Sequence, residues 1–302
     1  MNYLRLIRYQ NLLFIALAQL LIKYGLFRPM GVASGITDIE FFLLVMATVC
    51  IAAGGYVIND VYDVIIDSIN KPHKVLIGKK VSEITAYRLF IILNVTGVAI
   101  GFYLSNTIGK PGFSALFIIF SALLYLYASY LKGIVLIGNL LVSVLVAMSL
   151  IIIAVFDLLP AITPENQSIQ AKAFRIVLHY AFFAFSINFI REIVKDLQDV
   201  NGDKKVDLQT LPIVLGRKRT TSVVFVLGVL LVLGVIFYMY TNLYAHQIVL
   251  LYFLFAIVGP LLYFCIKTWD AKTNAEYAFL SKILKLIMFM GICSIALIQF
   301  IN

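Results

Sequence analysis

The chain has 302 residues, of which 62% are hydrophobic and only 13% charged, and its mean hydropathy is +1.00. Soluble domains carry about 25% charged residues, so this composition excludes a water-soluble globular protein and predicts an integral, multi-pass membrane protein. The formal net charge of +9 reads as the bias of membrane topology plus attraction to anionic lipid or phosphate, and gives no case for nucleic acid.

A helix needs about 20 apolar residues to cross roughly 30 Å of hydrocarbon. Runs of that length are read at residues 9–30, 40–64, 84–106, 112–131, 134–158, 173–192, 222–242, 247–267 and 279–300. The fold class is therefore all-α, a polytopic bundle of about nine transmembrane helices. The first run follows basic residues as a secretory signal would, but no small-residue cleavage site follows, so it is read as a retained helix. Cys50, Cys265 and Cys293 fall inside apolar runs without metal-ligand spacing and are read as packing residues.

Taking the N-terminus as cytoplasmic, about nineteen of the 24 Lys and Arg residues fall on inner segments, and only Lys23, Arg28, Lys110, Lys172 and Arg175 on outer ones. That asymmetry fixes the orientation. Two polar stretches, residues 65–82 and 200–221, follow the second and sixth runs on the cytoplasmic side, and both are expected to cap the helix ends as loops ordered by substrate.

Nine of the 15 acidic residues sit in two windows at those places: Asp60, Asp63, Asp67 and Glu83, then Glu192, Asp196, Asp199, Asp203 and Asp207. Each Asp trio has spacings of three and four residues, which places it on one helical stripe. Like charges so close repel unless a hard cation with oxygen ligands neutralises them, so the trios are read as magnesium sites completed by a diphosphate. The second and sixth runs cross in the same direction, which brings both trios to one cytoplasmic level. The constant offset between matched aspartates suggests an internal duplication.

The segments NDVYDVIIDSINKP and REIVKDLQDVNGDKKVDLQTLPIVLGRK resemble the two signature motifs of the UbiA superfamily of intramembrane prenyltransferases. Arg8 and Asn11 at the start of the first helix, and YLYASYLKG from Tyr125 to Gly133, extend the resemblance over nearly the whole chain. One departure is that Lys74 is followed by Val-Leu-Ile-Gly where the family shows a Pro-rich stretch. Within the superfamily the motifs are most similar to the digeranylgeranylglyceryl phosphate synthases, which add geranylgeranyl to geranylgeranylglyceryl phosphate in ether-lipid synthesis. Chlorophyll synthases and homogentisate prenyltransferases share part of the pattern.

The resemblance implies one transmembrane prenyltransferase domain over residues 1–302, in the cell (inner or plasma) membrane with its active site on the cytoplasmic side. It implies an isoprenyl diphosphate held through Mg2+ by Asp60, Asp63, Asp67, Asp196, Asp199 and Asp203, and a lipophilic acceptor drawn from among the membrane lipids. Arg8, Asn11, Asn59, Lys74, Lys132, Arg191 and Lys195 are the expected diphosphate contacts, since all map to cytoplasmic helix ends. Tyr56, Tyr62, Tyr125, Tyr127 and Phe183 are candidates for lining a dry pocket around an allylic cation. His73 and His179 are weaker candidates for a base. The run Arg217, Lys218 and Arg219 is read as a topology anchor. Two alternatives remain at this stage: prenylation of an aromatic quinone precursor, and an ion-coupled transporter with carboxylates on broken helices. The membrane CDP-alcohol phosphotransferases also use Asp-rich motifs, but their continuous DGxxAR core is missing.

Overall fold

The computed structural model describes residues 2–73 and 75–300. Among these residues nine helices are long and apolar enough to cross a membrane: α1 Tyr9–Met30, α2 Asp38–Tyr62, α3 Glu83–Thr107, α4 Pro111–Ser129, α5 Ile137–Ala161, α6 Gln167–Lys205, α7 Arg217–Asn242, α8 Gln247–Asp270 and α9 Asn274–Ile298. Hydrocarbon offers no partner for backbone N–H and C=O groups, so an apolar chain of this length satisfies them inside helices. The protein is a multi-pass α-helical membrane protein, as its composition predicts.

Local signals fix several helix starts. Thr37 caps α2 through a capping box, accepting from the Glu40 amide at 3.3 Å while Glu40 accepts from the Thr37 amide at 2.7 Å. Thr273 and Glu276 repeat the device at α9. The apolar side chains bury in two large clusters, one among α6 to α9 and one drawing on α1 to α6 with the end of α9.

Two differences from the sequence reading matter for the acidic windows. The sixth apolar run belongs to a helix of 39 residues, about 58 Å long at 1.5 Å per residue, far more than a hydrocarbon core requires. Its polar C-terminal part, which includes residues 200–205 expected as loop, continues as helix and carries the second Asp trio. The second run ends earlier, at Tyr62. Asp63 sits at φ −89°, ψ 3° and joins α2 to a short helix, Val64–Asn70. The Asp67 amide still bonds the Asp63 carbonyl at 2.8 Å, so the hydrogen bonding runs on through Asp63 while its backbone leaves helical geometry, and the first trio straddles that break.

The segment after that short helix is folded against the bundle. Leu76, Ile77 and Val81 are buried with Leu6, Val57, Val61 and Ala86. The Val-Leu-Ile-Gly departure from the family pattern thus acts as an apolar anchor. Lys74 lies outside the described residues.

Backbone strain gathers at the same end of the bundle. Among the described residues Arg8, Leu136 and Asp207 are the non-glycine residues with positive φ. They precede α1, precede α5 and follow α6 respectively. Such conformations cost of order 1–3 kcal/mol and concentrate where the structure serves a site.

Candidate active site

A cavity of about 910 Å³ opens at the end of the bundle where α2 finishes and α6 runs on. Its lining includes Asp60, Asp63, Asp67, Asp196, Asp199 and Asp203, together with Arg8, Asn11, Asn59, Lys132, Arg191 and Lys195. Every magnesium ligand and diphosphate contact expected from sequence that the structure describes therefore lines one space.

The two acidic windows meet directly. Asn70 donates to the Asp199 carbonyl at 2.8 Å and accepts from the Gly202 amide at 3.0 Å. Lys71 pairs with the Asp199 carboxylate at 2.5 Å. Contact this close needs glycine at 202, because a Cβ there would lie 2.3 Å from the Asn70 Nδ2 atom and 2.8 Å from the Ile66 carbonyl oxygen.

Cations thread the acid. Arg8 bonds Asp60 at 2.8 Å and stacks its guanidinium 5.1 Å over the Tyr56 ring. Burial opposes the Arg8 charge, but Asp60 and the Tyr56 hydroxyl outweigh it and hold its pKa above the ordinary arginine value. Lys132 pairs with Asp63, whose other oxygen accepts from Asn59 at 2.6 Å. Asn139 donates to Asp196 at 2.7 Å, and Lys195 pairs with Glu192 at 2.7 Å. Asp67 makes no such pair among the described residues. Burial, reinforced by the Asp63 charge, pushes its carboxyl up to about 6.

Among the described residues no three acids converge tightly enough to hold an ion as they stand. The donor set nevertheless suits a hard divalent cation, since it is oxygen throughout. Asn59 Oδ1 and Asp199 Oδ1 are also buried with no hydrogen-bond partner. A buried acceptor left unpaired costs about 1–3 kcal/mol, which a cation or a protonated ligand removes.

Sequence reasoning missed several lining residues. Asn139, an amide in an otherwise apolar stretch of α5, carried a visible signal. Lys71, Lys282 and Lys285 had been read only as orienting charges. Of the five aromatic candidates only Tyr127 lines the cavity. Tyr62 and Tyr125 instead bond hydroxyl to hydroxyl at 3.2 Å, and Phe183 packs edge-on to Tyr238 in the apolar core. His179 also packs on Tyr238. It lies about 25 Å along α6 from Asp196, too far to serve chemistry there. His73 lines the cavity. Arg217 bonds Asn274 at 2.9 Å and takes no part in the lining.

A bundle of membrane-spanning helices that gathers two acidic windows and interleaved bases around one cavity has the make-up of an intramembrane enzyme. The sequence profile of the UbiA prenyltransferase family matches residues 12–291, and the chain belongs to that family. It is similar to the digeranylgeranylglyceryl phosphate synthase of Korarchaeum cryptofilum, 30% identical over 274 residues and 89% of each chain. The enzyme of the same name from Sulfolobus acidocaldarius is 36% identical over 194 residues, a match spanning 63% of each chain. Among solved structures, that of a digeranylgeranylglyceryl phosphate synthase in membranes superposes with a TM-score of 0.62 at 23% identity, covering 99% of this chain and 98% of the other. A UbiA homologue from Archaeoglobus fulgidus bound to DMAPP and Mg2+ gives 0.58 at 17% identity, covering 98% and 99%. The protein is a UbiA-type prenyltransferase.

Proposed function

We propose that the chain catalyses magnesium-dependent transfer of a geranylgeranyl group from its diphosphate to geranylgeranylglyceryl phosphate, a step of ether-lipid synthesis. In this reading residues 1–302 act as one transmembrane prenyltransferase domain. Its cavity faces the cytoplasmic side of the cell membrane, because the basic residues gather at that end. The observation that carries the reading is the contact of the two acidic windows, through Asn70, Lys71, Asp199 and Gly202, around one polar cavity. The names of the relatives supply the acceptor.

Asp60, Asp63, Asp67, Asp196, Asp199 and Asp203 are the proposed magnesium ligands, direct or through water. Magnesium, when bound, supplies positive charge to the departing diphosphate. Lys132 and Lys71, which now sit on Asp63 and Asp199, exchange those carboxylates for phosphate oxygens as substrate enters. Arg8, Arg191, Lys195 and Asn59 are placed to orient the same diphosphate, with Asn11 and Lys74 as further proposed contacts. Tyr127, half-buried at the cavity wall, presents an electron-rich ring toward an allylic cation. The apolar anchor of Leu76 and Ile77 beside the cavity limits water access.

The test is diphosphate release and product formation from radiolabelled geranylgeranyl diphosphate in membranes holding the protein. The acceptor panel contains geranylgeranylglyceryl phosphate, 4-hydroxybenzoate, dihydroxynaphthoate and homogentisate. The reading predicts product with the phosphoglycerol acceptor and its loss in EDTA. Product with an aromatic acceptor alone would replace the acceptor assignment. Substrate-driven ion flux without diphosphate release would replace the enzyme with a transporter.

A further inference from the structure

The cavity has two walls of different charge. The carboxylates come from α2, Asp63, the short helix Val64–Asn70 and α6, whereas a second wall is built by the start of α1 and one stripe of α9. Ala278, Ser281, Lys282 and Lys285 line the cavity at successive steps of three, one and three residues, so one face of α9 is turned inward. Lys285 donates to Asn11 at 2.8 Å, and among the described residues no carboxylate forms an ion pair with it. Arg191 and Arg8 line the same cavity. Asp60 takes up the Arg8 charge, and Arg191 pairs with Glu192 at 3.5 Å but keeps a buried Nε with no hydrogen-bond partner. Gathered like charges and an unspent donor ask for an anion.

One turn deeper along the same two helices the character changes. Phe14 lies three residues beyond Asn11 and Phe289 four beyond Lys285, and their rings pack 5.4 Å apart. Lys285 itself sits 5.0 Å from the Phe14 ring centroid. The seam between α1 and α9 therefore offers a cationic seat above an aromatic floor. That pairing suits an anionic head carried on hydrocarbon, and a free phosphate ion would use only half of it.

We propose that Lys285 seats the phosphate of the lipid acceptor on the α1–α9 wall, with Asn11 and Arg191 marking its border with the carboxylate wall assigned to the donor diphosphate. The inference rests on the phosphoglycerol acceptor reading above and names the residues that select it. Lys285 then sets specificity: it holds a phosphate monoester and gives an uncharged alcohol no comparable contact.

The experiment is steady-state kinetics of Lys285→Gln and Lys285→Arg with geranylgeranylglyceryl phosphate and with its phosphate-free analogue. Lys285→Gln should raise the acceptor KM about 10- to 100-fold, the size expected for a charge-assisted contact, while the donor KM moves less than about threefold. Preference for the phosphorylated acceptor should fall by the same factor, and Lys285→Arg should restore most of it. A parallel rise in donor and acceptor KM, or an unchanged acceptor KM, overturns the proposal. So does loss of wild-type binding of radiolabelled acceptor in EDTA, which would put the acceptor phosphate on the metal-binding wall. If the wild-type protein rejects every phosphoglycerol acceptor, the function reading itself fails, and this one with it.

Discussion

The bundle buries charge at both ends and treats it in opposite ways. At the end away from the cavity, Lys23 and Asp157 are 4% and 1% exposed and fully engaged. The ammonium donates to Ser34 Oγ, the Ile36 carbonyl and Asp157, and the second Asp157 oxygen accepts from Ser34. The Gly35 amide adds a 2.7 Å bond to the Asp157 carbonyl, so the turn between α1 and α2 is clasped to the end of α5. At the cavity end seven carboxylates share a space with more cations than they pair, and Asn59, Asp199 and Arg191 keep buried atoms without partners. A charge whose bonds are all made holds structure, whereas one left partly unmade is available to a ligand.

Breaking the closed end should affect stability most. Lys23→Met leaves Asp157 as an uncompensated buried charge, at a cost of about 3–5 kcal/mol, read as a lowered thermal midpoint in detergent. The remaining folded protein should keep its turnover per molecule, and Lys23→Met with Asp157→Leu should recover much of the midpoint. Turnover falling with the clasp while the midpoint holds would erase the distinction between the ends.

Breaking the open end should do the reverse. Asp63→Asn or Asp199→Asn should leave a folded membrane protein whose turnover drops about 100- to 1,000-fold, equivalent to about 2.7–4 kcal/mol of lost electrostatic stabilisation. Wild-type turnover of either variant under limiting magnesium would contradict the assignment. Gly202→Ala sharpens the point, because its methyl meets the Ile66 carbonyl, and backbone cannot yield as a flexible side chain would. The resulting overpacking costs about 1–3 kcal/mol and should separate Lys71 from Asp199, visible as roughly tenfold slower turnover at saturating donor. Smallest of all, Arg217→Ala removes an exposed bond to Asn274 and should change stability by less than about 0.5 kcal/mol, with turnover nearly unchanged. A large loss there would extend the site onto α7.

The open end was largely legible in the sequence because its signal is local. Carboxylates spaced by three and four residues at the ends of apolar runs announce a shared face, and the structure turns both trios into one cavity. What escaped depended on distant partners. Lys23 and Asp157 are 134 residues apart, so Lys23 reads as one more outer lysine until the fold buries it. Lys285 reads as topology until Asn11, 274 residues earlier in the chain, accepts its hydrogen bond. The helix break at Asp63 is hidden because hydropathy runs on past it, and the length of α6 because hydropathy falls while the helix continues.

The most direct test of the central claim, that both acidic windows grip one diphosphate, is a double-mutant cycle on Asp63→Asn and Asp199→Asn read by release of labelled diphosphate. Residues acting as one unit are strongly non-additive, so the double variant should lie within about threefold of the slower single variant. A double variant slowed by the full product of the two single losses would mean two independent sites, and would contradict the account.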